Sequence, residues 1–142
     1  MRRSLILVTL TALLAVPTLA SAGEQKAASG PKATGSPDLT VSFVLRTVNG
    51  KPTELRKFKF SKLQATCKKE TVVLIKGKVS RIKVKANKTF RHIIKRKGKS
   101  VRIEGRVRNR GAKVTGFFRA KGKFSGQKGC DSGKVRWKAT RT

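Results

Sequence analysis

From Leu39 onward, apolar and polar residues alternate along most of the chain. Leu39, Val41, Phe43 and Leu45 share one phase, against Thr40, Ser42 and Val44. Phe58 and Phe60 alternate with Lys57 and Lys59, and Ile82, Val84 and Ala86 with Arg81, Lys83 and Lys85. Val114, Gly116, Phe118 and Ala120 continue the pattern, and Val135, Trp137 and Ala139 close it against Lys134, Arg136 and Lys138. Side chains two apart share one face of an extended strand, so this spacing predicts strands with one apolar and one wet face. Thr71 to Ile75 instead forms an unbroken run, TVVLI, which predicts a strand buried on both faces.

Turn signals punctuate these segments. Asn49-Gly50 and Asn87-Lys88 mark turns, and Lys97-Gly98-Lys99 separates His92–Arg96 from Val101–Val107 as a hairpin. Strands recurring about every ten residues predict an all-β domain, an antiparallel β-sandwich or barrel. Gly122 to Gly133 (GKFSGQKGCDSG) reads as a loop carrying Cys130 into the last strand. No amphipathic helix follows Ala22, and no internal repeat is present.

The first residues follow a different pattern. Met1-Arg2-Arg3 precedes an apolar run from Leu5 to Val16, then Pro17 and Ala20-Ser21-Ala22. A positive start, a short apolar stretch and small residues at the end form the layout of a cleavable secretory signal. A membrane span needs about 20 apolar residues, more than this run supplies. The organisation expected is a signal peptide over 1–22, a flexible leader over 23–37 and a folded domain over 38–142. The leader, GEQKAASGPKATGSP, has no large apolar residue to offset the entropy of ordering. The expected localisation is secreted or extracytoplasmic.

Export changes the reading of the two cysteines, Cys67 and Cys130. An even count in an oxidising compartment favours a disulfide over two free thiols. A structural zinc site usually takes four ligands, and the chain offers two cysteines and one histidine. No metal or cofactor is expected. Enzymatic activity is not expected either, since His92 is the single histidine and the acids are scattered.

Charge is the feature that points to a partner. Of 36 lysines and arginines, Arg2 and Arg3 leave with the signal, so 34 stand against six acids, a net of +28. Solubility needs only about 2–8 charges on a small domain. The basic residues fall in alternating rows: Arg81, Lys83 and Lys85; Arg102, Arg106 and Arg108; Lys134, Arg136 and Lys138, with Lys57 and Lys59 as a shorter row. The segment Arg91 to Arg110 adds to this basic density. Were such rows neighbours, like charges would stand opposite one another and destabilise the sheet. The expectation is a binding protein whose basic face meets an anionic polymer and releases its counterions. Outside the cell the candidates are teichoic acid, acidic polysaccharide, an anionic lipid surface and extracellular DNA; no small-molecule substrate is expected. The alternative is a structural or protein-interaction module of the cell envelope with incidental surface charge. Base readout is not expected, since tyrosine is absent and most aromatic residues fall on the core phase; Phe117 and Phe124 are the only loose candidates for stacking, while Trp137 shares the core phase of Val135 and Ala139.

The segment Phe58-Lys59-Phe60 to Cys67, together with Cys130 to Ala139, gives the layout a further association. Asn87-Lys88-Thr89-Phe90 and Gly116-Phe117-Phe118-Arg119-Ala120 lie between them. Over residues 38–142 this resembles small exported β-domain proteins of soil actinobacteria. The resemblance implies a β-domain fold and a Cys67–Cys130 disulfide, but no activity and no site residues.

Overall fold

The computed structural model describes residues 23–29 and 38–141. Among them are nine strands: β1 (Gly23–Ser29), β2 (Thr40–Val48), β3 (Lys51–Thr66), β4 (Val72–Lys83), β5 (Thr89–Arg96), β6 (Lys99–Arg108), β7 (Lys113–Phe124), β8 (Gln127–Asp131) and β9 (Val135–Arg141). They form one antiparallel sheet in the order β4-β3-β2-β1-β9-β7-β6-β5. β8 lies off this path and bridges its two arms, pairing Asp131 with Thr66 of β3 and with Lys121 of β7. That double pairing requires the sheet to curl until its arms meet.

Local chemistry explains the curl. Three hairpins turn on a residue followed by glycine, both at positive φ: Asn49-Gly50, Lys97-Gly98 and Ser125-Gly126. Two-residue turns of this kind match the right-handed twist of the strands they join. β3 is long and carries three irregularities in register, one between Pro52 and Glu54 and two beside Lys57 and Lys62, both at positive φ. Bulges of this sort bend a strand and increase its twist, so β3 follows the curve of the sheet. They also keep Leu55, Phe58, Phe60 and Leu63 all on the buried face despite their uneven spacing.

The core fills the inside of the curl. Trp137 of β9 packs against Phe43 of β2, Phe58 of β3, Phe90 of β5 and Phe118 of β7, with ring centroids 6.1, 5.8, 6.3 and 5.8 Å away. The phase expected for Trp137 is the one it occupies. Cys67 and Cys130 are bonded, with S–S at 1.98 Å, and the link ties the end of β3 to β8.

Three expectations are corrected. Val73 and Ile75 are buried, but Val72 and Leu74 are 50% and 62% exposed, so TVVLI is covered on one face only. No described element packs over the outer face of β4 there. Gly122 to Gly133 is not a loop: β7 runs on to Phe124, and Ser125-Gly126 turns it into β8. Part of the expected flexible leader is strand, since Gly23–Ser29 pairs along β2 from Thr47 to Val41 and also meets β9. Backbone pairing needs no large side chain, which is why composition missed it. The expected signal peptide and residues 30–37 lie outside the described residues.

Candidate functional site

Register across β5, β6, β7 and β9 determines which outward side chains meet. Thr89, Arg106, Thr115 and Lys138 stand abreast at one level. The next level holds Arg91, Glu104, Phe117 and Arg136. Beyond it come Ile93, Arg102 and Arg119, then Lys95, Ser100 and Lys121. All belong to the phase opposite the buried Phe90, Ile103, Phe118 and Trp137.

The first two levels form a groove of about 830 Å³ open to solvent. Its cations are Lys85 just past β4, Arg91, Arg106, Lys134 in the link to β9, Arg136 and Lys138. Glu104 is the one carboxylate in the lining. The inward residues at this height are Phe90, Gly105, Gly116 and Trp137 across the same four strands. Both glycines are needed. A Cβ on Gly105 would collide with the Phe90 ring and the Thr115 carbonyl, and one on Gly116 with the Trp137 ring and the Glu104 carbonyl. Glycine permits this close approach of backbone to backbone, and the aromatic rings cover the space it leaves.

The basic rows separate into two regions. Lys85, Arg106, Lys134, Arg136 and Lys138 gather in the groove. Arg102 lies on the same face beside Arg119, its cross-strand partner on β7. Arg108 is at the end of that face, where its Nε donates to Thr115 Oγ1 at 3.3 Å. Arg81 and Lys83 are on the other arm, opposite Arg56 and Glu54 of β3. Lys59, of the shorter row, is there too, opposite Lys78. The rows of β3 and β4 are direct neighbours, whereas those of β6 and β9 are not. β7 lies between β6 and β9 and inserts Thr115 and Phe117 between their cations. That spacing eases the repulsion and widens the face into a groove. Arg91 belongs to the site, although its row was not singled out; its outward phase is readable, but its place beside Glu104 depends on register. Phe124 is buried at 5% exposure and offers no stacking surface, whereas Phe117 faces outward in the groove. His92 is half-buried on the core-side phase, opposite Ile103.

The acids are concentrated among the cations. Arg91 Nε lies 3.1 Å from Glu104, and Arg119 and Lys121 lie 3.5 and 3.9 Å from Asp131. Glu54 holds three arginines: Arg56 donates a 2.8 Å hydrogen bond, with Arg81 at 3.5 Å and Arg46 at 3.8 Å. The Arg56 hydrogen bond, with the charges of the neighbouring arginines, keeps the Glu54 carboxyl below its ordinary pKa of 4.5. A carboxylate with a lowered folded-state pKa stabilises fully above the unfolded value and loses that contribution as pH falls through the folded one. Glu54→Gln is therefore expected to lower the melting temperature at neutral pH, because the three arginines lose their shared counter-charge. The deficit should shrink as pH falls below 4.5 and as salt screens the arginines. Thermal melts of both proteins over pH and salt measure it; a deficit that stays constant at low pH would show that the carboxylate charge is not the cause.

Among the described residues, no group of three His, Cys, Asp or Glu side chains is placed to hold a metal ion. No helix there is long and apolar enough to cross a membrane. The chain matches no protein-family model, no curated protein and no solved structure, so the site is read from its own residues.

Proposed function

We propose that this is an exported, non-enzymatic β-domain protein that binds an anionic envelope or extracellular polymer through the outer face of β5, β6, β7 and β9. The observation that carries the reading is the convergence of Lys85, Arg91, Arg106, Lys134, Arg136 and Lys138 on one groove with a single carboxylate. Cations held this close repel one another, and a polyanion that displaces their counterions relieves the cost. The bonded cysteines are compatible with an oxidising compartment.

Retention on immobilised heparin, teichoic acid and duplex DNA across a salt series tests the proposal. Each neutralised DNA phosphate should contribute about −0.9 to the slope of log affinity against log salt. Replacing Arg106 and Lys138 with alanine together should flatten that slope by about 1–2. Replacing Arg81 and Lys83, on the other arm, should leave it nearly unchanged. Elution at low salt from all three matrices, or equal losses from both pairs, would overturn the reading.

One observation favours a second reading, a protein-interaction module: Val72 and Leu74 stand exposed on the outer face of β4. That reading predicts capture of a defined envelope protein that survives high salt and is lost when both residues become serine.

A further inference from the structure

We propose that the groove takes single-stranded nucleic acid, with one base stacked on Phe117 and the flanking phosphates on the cations at the levels either side. The inference rests on the polyanion reading above and narrows it to one polymer. Phe117 sits in the middle strand of the basic face, between Glu104 of β6 and Arg136 of β9. It points away from the core that Phe118, its neighbour in sequence, helps to build. The Lys134 ammonium lies 4.4 Å from its ring centroid. The ring is half-buried, and the ammonium covers one of its faces. A planar base can replace Lys134 there, and the freed ammonium can turn to a phosphate.

The cations are spaced to suit. Arg106 and Lys138 lie one level before Phe117, and Arg102 and Arg119 one level after. Each level is two residues along a strand, about 7 Å, a step comparable to the repeat of an extended nucleotide backbone. From Arg106 to Lys121 the face runs about 20 Å, enough for about four nucleotides, at the small end of single-strand sites on β-sheet grooves.

The lining discriminates between polymers. Duplex DNA hides the faces of its bases, and teichoic acid has no planar ring to lay on Phe117. An acidic polysaccharide can engage the cations but likewise has no planar π ring to lay on Phe117, and the groove offers its hydroxyls a single carboxylate, Glu104. Cations around an exposed aromatic face are what a single strand uses, and base stacking of this kind tolerates any sequence.

Fluorescence anisotropy with three labelled polymers at several salt concentrations tests the inference. The probes are oligothymidylate of about twenty nucleotides, an abasic strand of the same length and charge, and a heparin oligosaccharide. The full chain should bind oligothymidylate more tightly than the abasic strand. Phe117→Ala should weaken oligothymidylate binding by about 5- to 150-fold, leaving abasic-strand affinity and the salt slope unchanged. Phe117→Leu, which keeps an apolar side chain without a π face, should lose most of the same preference and carries the test if the alanine variant folds poorly. Equal affinity of the unaltered protein for the two strands would overturn the inference while leaving the polyanion reading intact. So would a Phe117-dependent preference for heparin. Absence of binding to all three probes at low salt would overturn both.

Discussion

Trp137→Ala is expected to cost about 3–5 kcal/mol, as large-to-small changes at buried aromatic positions do. The indole touches rings from four other strands, and Phe43 and Phe58, which also stack on each other, lose a shared neighbour. With total stabilities of about 5–15 kcal/mol usual for a domain, that loss leaves little in reserve. Trp137→Phe should behave very differently. Among the described residues the buried indole Nε1 meets no hydrogen-bond acceptor, and a buried donor without a partner costs about 1–3 kcal/mol. Phenylalanine removes that penalty while keeping most of the ring contacts, so the two effects should largely cancel. Urea unfolding of both variants measures the contrast. If phenylalanine costs as much as alanine, the indole N–H is satisfied after all.

The second large effect is expected at the disulfide. Cys67 and Cys130 are 63 residues apart, and closing a loop of that length restricts the unfolded chain by about 4 kcal/mol in the chain-entropy account. Replacing both cysteines with alanine should lower the urea midpoint accordingly. The deficit should look worse at low salt, because a highly cationic chain gains from expanding and the crosslink opposes that expansion. Urea is the right denaturant, since guanidinium would screen the charge it is meant to reveal. An unchanged midpoint at low salt would show that the bond contributes nothing to stability. The link fastens β8 to the end of β3, where Thr66 and Asp131 form the one backbone pair between those strands. Its loss should therefore appear first as faster hydrogen exchange in β8.

Much of the fold was legible because period-two patterning reports directly which side chains share a face. Leu39 to Leu45, Phe58 and Phe60, and Val135 to Ala139 all bury the residues that the pattern assigns inward. What the pattern omits is whatever lies across the sheet. TVVLI is apolar on both faces, but whether a second layer covers β4 is decided by other segments, and none of the described ones does. β8 carries one buried residue, Cys130, in GKFSGQKGCDSG, so its pairing with β7 leaves almost no trace in hydrophobicity. The candidate site shows the same division. The basic rows were readable strand by strand. Their grouping was not, because it follows from strand order: placing β7 between β6 and β9 brings Arg106 and Lys138 together across Thr115, while Arg81 and Lys83 sit on the opposite arm. The two glycines at the groove also look unremarkable in sequence until Phe90 and Trp137 are seen lying over them.

The position of Trp137 also bears on how the molecule is made. Its four ring partners belong to β2, β3, β5 and β7, all of which precede β9 in the chain. A polypeptide that emerges amino end first has these rings without their central partner until β9 is free. Incomplete chains with exposed apolar surface tend to associate. Here every such chain already bears a dense positive charge, and like-charged molecules keep apart in solution. The charge that crowds the finished surface thus also opposes association of half-made copies until β9 closes the core.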